Sequence, residues 1–186
     1  AMGSFMANKG RILALDTSLT RLDKAALRIK RAGLHNVERR LIGGDADPKL
    51  KRLAKKFDRV LVDAPCSGIG TWRRDPDIRQ RLNRTNLEAM VQVQQKILVA
   101  AARLVRPGGR LIYATCSLLP DENEKQIENL LIKRNDYSIV SVKEIWSKLD
   151  PKIKKWHGMV NGKMMRLTPH QHGTDGFFIS ILERLH

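Results

Sequence analysis

Acid is what this 186-residue chain is short of: 19 Asp and Glu stand against 35 Lys and Arg, a net charge of +16 with an isoelectric point near 10.4. Phosphates attract so lopsided a surface, and release of their counterions favours the contact, so nucleic acid is the expected partner. Cysteine is scarce too, at two residues. That excludes a disulfide framework and makes a reducing cytoplasm the natural compartment. No apolar run approaches the ~20 residues that span a bilayer, and no basic amphipathic helix offers a strongly apolar opposite face, so a membrane is not expected. Internal repeats and low-complexity tracts are lacking. The opening Ala1-Met2-Gly3-Ser4 has no signal-peptide core; residues 1–5 read as an expression remnant and 6–186 as one domain. A hydrophobic fraction of 42% argues for a folded protein rather than a basic tail.

What is present alternates between strand and helix. Arg11–Asp16 is a short apolar run ending in an acid, read as a buried strand. Ser18 caps a helix through about Arg31, stopped by Gly33. Val37–Ile42 is a weaker strand before Gly43-Gly44-Asp45, and Arg59–Asp63 is a β-branched strand again ending in an acid. Leu87–Val105 carries the clearest helical period, ended by Pro107-Gly108-Gly109 and followed by a strand at Arg110–Ala114. Glu122–Lys133 reads as a helix, and Ser138–Val142 and Phe177–Leu182 as strands. This order predicts an α/β fold with a mostly parallel sheet and helices on both faces. Ligands bind such sheets beyond the carboxyl ends of the strands. Asp16, Asp45, Asp63, Cys66 and Cys116 would all gather there, on one sheet edge.

Each of these residues admits two readings. Asp16 suits the two hydroxyls of a nucleotide ribose, or stabilises a helix N-terminus. Asp45 could reach an adenine amino group, or simply complete a turn. In Asp63-Ala64-Pro65-Cys66-Ser67-Gly68 the proline and glycine shape a rigid loop, in which a thiol either performs covalent chemistry or packs as a small hydrophobe. Thr115-Cys116-Ser117 poses the same choice, with hydroxyl neighbours and a helix start near Asp121 favouring a lowered thiol pKa. Arg73 and Arg74 read as phosphate contacts or as a solvated pair. Lys148, Lys152, Lys154, Lys155, Lys163 and Arg166, with Trp146 and Trp156 among them, form a basic insertion. It suits unpaired bases, but a mobile, solvated loop is the favoured reading. His157, His170 and His172 lack partners at useful spacing, so no metal is expected.

Phe57–Gly68 resembles motif IV of the Sun/Fmu family of RNA cytosine-5 methyltransferases. Leu111–Leu118 followed by Glu122-Asn123-Glu124 resembles its motif VI. Arg73–Asp77 and the closing Pro169-His170 and Gly173–Phe178 match as well. The resemblance implies a Rossmann-like class I methyltransferase fold and C5 methylation of a cytosine in ribosomal RNA, with S-adenosylmethionine as methyl donor. It makes Cys116 the nucleophile that attacks C6, assigns Cys66 to enzyme release after loss of the C5 proton, and makes Asp16, Asp45 and Asp63 cofactor contacts. The target base must leave any stack.

The family's glycine-rich motif I is not found ahead of Arg11, so the chain reads as a truncated catalytic domain, incomplete at its N-terminal strand. Poor cofactor affinity is expected. So is a gap between the strands at Ile12 and Val60, whose edges would invite self-association. The rival reading is a non-catalytic RNA-binding or assembly module on the same fold. A thiol redox protein would need a Cys66–Cys116 disulfide, for which the loop sequences give no positive reason.

Overall fold

The computed structural model describes residues 1–81, 83–148 and 162–186. Lys152, Lys154, Lys155, Trp156 and His157 lie outside the described residues. Two compact units emerge, Ala1–Lys49 and Leu50–His186.

The first unit opens with a helical turn, α1 (Met2–Phe5), whose Gly3 is buried; a Cβ there would lie 2.9 Å from the Leu34 side chain. Residues 1–5, expected to be a remnant, are therefore packed at Gly3. Strand β1 (Ile12–Asp16) pairs in parallel with β2 (Val37–Leu41), joined by α2 (Leu19–Arg31). The Ser18 hydroxyl accepts from the Arg21 N–H and supplies the cap read from sequence. Gly33 adopts φ +63, as a helix stop of this kind requires. A short helix α3 (Pro48–Lys51) follows.

The second unit is built on β3 (Phe57–Asp63), β4 (Val105–Thr115), β5 (Tyr137–Val140), β6 (Met165–Leu167) and β7 (Phe177–Arg184). Helices α4 (Ile78–Arg81), α5 (Arg84–Ala102), α6 (Glu124–Lys133), α7 (Val142–Ser147) and α8 (Pro169–His172) connect them. Among the described residues of this unit β3 and β4 are parallel, and β7 runs antiparallel to β4, β5 and β6. The expectation of a mostly parallel sheet is corrected here, because the sequence pattern marks β7 as a strand without giving its direction. Leu111, Tyr113 and Thr115 on β4 and Phe178, Ser180 and Leu182 on β7 alternate inward with the two-residue pleat. They pack against Leu98 and Ala102 of α5 and Ile127 and Leu130 of α6, all inaccessible to solvent.

Pro107-Gly108-Gly109 does not close a helix. α5 ends at Ala102, and these residues form a bulge inside β4, where the two steps from Phe57 to Arg59 face the five from Val105 to Arg110. Gly109 sits so close to the neighbouring strand that a Cβ would lie 3.0 Å from the Asp58 carbonyl. Of the basic insertion only its two ends lie among the described residues. Val142–Ser147 is helical, and Met164 and Met165 are buried where β6 joins β7.

Among the described residues β1 pairs with β2 alone and β3 with β4 alone, so the strands lie in two sheets. Among the described residues the strands at Ile12 and Val60 are not paired with each other. Asp16 and Asp45 lie at the strand ends of the first unit, and Asp63, Cys66 and Cys116 at those of the second.

Candidate active site

In the second unit the parallel strands β3 and β4 end side by side, Asp63 opposite Ala114. The chain then leaves each strand in a loop, and the two loops bring the half-buried Cys66 and Cys116 together with their sulfurs 3.3 Å apart. The Cys116 thiol is lowered to about 7. The main cause is the hydrogen bond donated by Cys66, against burial and the charges of Asp63 and Glu122, which raise it. Cys66 is driven up, first by that same hydrogen bond and then by burial. The two thiols are thus shifted in opposite directions, Cys116 down and Cys66 up. A thiolate is the nucleophilic form of cysteine.

Beneath the sulfurs lies a buried polar knot. Glu122, closed off from solvent, accepts from the Ser67 N–H at 2.7 Å, the Ser67 hydroxyl at 2.5 Å, the Gln94 amide at 2.9 Å and the Ser117 hydroxyl. Gln94 also donates to the Pro65 carbonyl at 2.9 Å. Asn123 accepts from Thr115 Oγ1 at 2.6 Å and donates to the Ser117 carbonyl at 2.9 Å, while the Tyr113 hydroxyl donates to the Glu122 carbonyl. Burial, chiefly, raises the Tyr113 phenol far above its usual range, so it stays protonated and a donor. The loop backbones are fastened too. Gly70 N–H donates to the Cys116 carbonyl at 2.9 Å and Gly176 N–H to the Gly70 carbonyl at 2.8 Å.

On the Cys66 side a cleft of about 640 Å³ is lined by Ile78, Leu87, Met90 and Val93, with Asp75 and Asn86 as polar members. Arg73 and Arg74, read from sequence as phosphate contacts, both turn to the buried Asp175, Arg74 Nε at 2.9 Å and Arg73 at 3.9 Å. Their side chains stay 62% and 71% exposed, so each is available to an external anion as well. Asp63 is exposed at the end of β3. Arg166 belongs to the fold, its guanidinium bracketing Glu124 at 2.5 and 2.7 Å.

In the first unit Asp16 ends β1 and the exposed Asp45 follows β2. Asp16 accepts from the Ser18 N–H at 2.8 Å and from the Arg21 guanidinium at 2.8–3.0 Å, and that arginine chiefly holds its carboxyl below the usual range. The Arg21 side chain remains 66% exposed beside it. Glu122 entered the sequence reading only as a helix start and within the motif VI resemblance, without a role, and Gln94 did not enter it. Gln94 was detectable as the polar member of the stripe Met90, Gln94, Leu98, Ala101, where a buried polar group must find a partner.

The chain matches the family described as 16S rRNA methyltransferase RsmB/F over residues 1–183. It is 36% identical over 184 residues to a probable ribosomal RNA small subunit methyltransferase B of Synechocystis, covering 98% of this chain and 40% of that one. It is 34% identical over 184 residues to a tRNA (cytosine(72)-C(5))-methyltransferase of Pyrococcus horikoshii, covering 99% and 43%. Among solved structures it resembles NSun6 from Pyrococcus horikoshii, determined with SFG, at TM-score 0.82 and 30% identity, covering all of this chain and 44% of that one. The chain thus spans about two fifths of the length of the curated relatives it matches.

Proposed function

The chain belongs to the RsmB/F family of 16S rRNA methyltransferases, and from that premise we propose that it carries the catalytic thiols of an enzyme that methylates C5 of a cytosine in ribosomal RNA. The observation that carries this reading is the thiol pair itself: two cysteines on the loops after neighbouring parallel strands, with their sulfurs 3.3 Å apart. Cys116, as thiolate, attacks C6 of an unstacked cytosine and forms a C–S bond. The electron pair released into the ring makes C5 nucleophilic. S-adenosylmethionine supplies the methyl group, as the SFG in the NSun6 structure suggests, SFG being an analogue of that cofactor. Once the C5 proton is lost, the C–S bond breaks, and Cys66 assists this release. Asp16 would hold the ribose of the cofactor, Asp45 its base, and Asp63 would stand between cofactor and target. Arg73 and Arg74 would add phosphate contacts, in a cytoplasmic setting that suits two free thiols. The edges of β1 and β3 left without a strand partner among the described residues offer a route to self-association.

RNA carrying 5-fluorocytidine tests this. Fluorine at C5 blocks the loss that frees the enzyme, so the adduct persists and is resolved by denaturing electrophoresis. We expect an adduct from the unmodified chain supplied with S-adenosylmethionine, none from Cys116→Ala, and retention in Cys66→Ala. RNA binding without any adduct, indifferent to both substitutions, would establish the non-catalytic module instead. The basic charge favours that second reading only as far as binding goes.

A further inference from the structure

Glu122 is a carboxylate with no solvent exposure, and its donors are two serines and a glutamine, with no cation among the described residues. Such burial is costly unless every lone pair is used. What distinguishes the arrangement is where the donors sit. Ser67 follows Cys66, Ser117 follows Cys116, and Gln94 reaches from α5 to both Glu122 and the carbonyl just before Cys66. The two serine hydroxyls stand 3.3 Å apart, the same separation as the two sulfurs.

We propose that Glu122 is a positioning residue for the thiol pair: its carboxyl clamps the loop carrying Cys66 to the loop carrying Cys116 and thereby sets the contact through which one thiol donates to the other. The proposal rests on the preceding reading only in taking Cys116 as the reacting thiol. The clamp itself is geometry. Cys116 is faced by Cys66, by Asp63 at the end of β3 and by Glu122, and the Tyr113 phenol of β4 faces Cys66 and Glu122.

Clamp and charge act on Cys116 in opposite senses, which separates them. As a charge, Glu122 raises the Cys116 thiol. Removing it for that effect alone lowers the thiol further. As a clamp, Glu122 maintains the hydrogen bond from Cys66, which is the chief cause of the lowering. Losing the clamp raises Cys116 toward the ordinary thiol value of about 8.5. Glutamine keeps one acceptor for the Ser67 N–H and Gln94 and presents an amide to hydroxyls that can rotate to accept.

The test is iodoacetamide alkylation of the full chain over a pH series, with each cysteine followed separately by peptide mass spectrometry. Neither RNA nor cofactor is present. Unmodified protein should show a Cys116 midpoint near 7. Glu122→Gln should hold it there or lower, and Glu122→Ala should raise it by a unit or more, a loss of thiolate at neutral pH of about fivefold or greater. Ser67→Ala, which removes one strap of the clamp, should raise it less. A Glu122→Ala midpoint that stays put or falls while the melting temperature drops would overturn the proposal, since filling space would then be the residue's whole contribution. Should Glu122→Ala fail to fold, Ser67→Ala decides: a rise supports the clamp, and an unchanged midpoint overturns it. Failure of the 5-fluorocytidine experiment with these shifts intact would remove the methyltransferase reading and leave the clamp standing.

Discussion

Two cysteines in 186 residues, found 3.3 Å apart at the ends of neighbouring strands, put the chemistry on single atoms. In the proposed mechanism the difference between them matters, because two equivalent thiols would share a proton and neither would be a good nucleophile at neutral pH. Cys66→Ala removes the donor that lowers Cys116, so the Cys116 alkylation midpoint should rise from about 7 toward that of a free thiol. Unchanged alkylation in that variant would show that another group supplies the polarisation. Both cysteines were legible in the sequence because each sits in a short phrase of turn-forming and hydroxyl residues just past an apolar run. The roles of Glu122, present within the motif VI resemblance, and of Gln94 were not. Their value lies in partners 28 and 55 residues away, and no local pattern encodes that pairing.

At the scale of elements, the loops are placed by backbone contacts that tolerate little change. A Cβ on Gly70 would meet the Gly176 carbonyl at 2.5 Å and the Cys116 carbonyl at 2.7 Å. Gly70→Ala should therefore displace the Cys116 loop, and loss of 5-fluorocytidine adduct should exceed what any fall in melting temperature explains. Deeper in the sheet, Leu98 of α5 is wholly buried against β4, and Leu98→Ala should cost ~3 kcal/mol in denaturant unfolding. The turn into β5 carries a different device. Asp136 accepts a bidentate pair from Arg134 at 2.7 Å and a third contact from Arg184 at 3.1 Å, so its carboxyl lies below the usual range, chiefly through the Arg134 hydrogen bonds. Its stabilisation is then present above the unfolded carboxylate value of ~3.9 and is lost as the pH falls through the lower folded value. Asp136→Asn should cost about 2 kcal/mol at neutral pH, and acid titration should erase most of the difference from the parent chain. The main strands and helices were legible from periodicity, whereas the early start of β4 at Val105 and the short α7 and β6 were not. The direction of β7 and the bulge at Pro107-Gly108-Gly109 were not, since pairing partners set the first and a register skip against β3 sets the second.

The whole molecule is defined by its charge, and this is where the arginines can be assigned. A surface of net +16 should bind RNA largely through phosphates, and affinity should fall steeply with salt, about a thousandfold or more between 50 and 200 mM for six or more contacts. Arg73 and Arg74 are already drawn toward Asp175, so their pairing inside the fold competes with any role outside it. The slope of log affinity against log salt separates the two. If each arginine also holds a phosphate, Arg73→Ala and Arg74→Ala each lower the slope by about one and weaken all RNA sequences alike. If they serve Asp175 alone, the slope stays that of the parent chain while melting temperature falls, because the buried carboxylate has lost its cation. The first outcome extends the RNA path from the thiols toward the Arg73–Asp77 segment; the second confines those arginines to fastening the Gly173–Phe178 loop, whose Gly176 in turn holds Gly70 against Cys116.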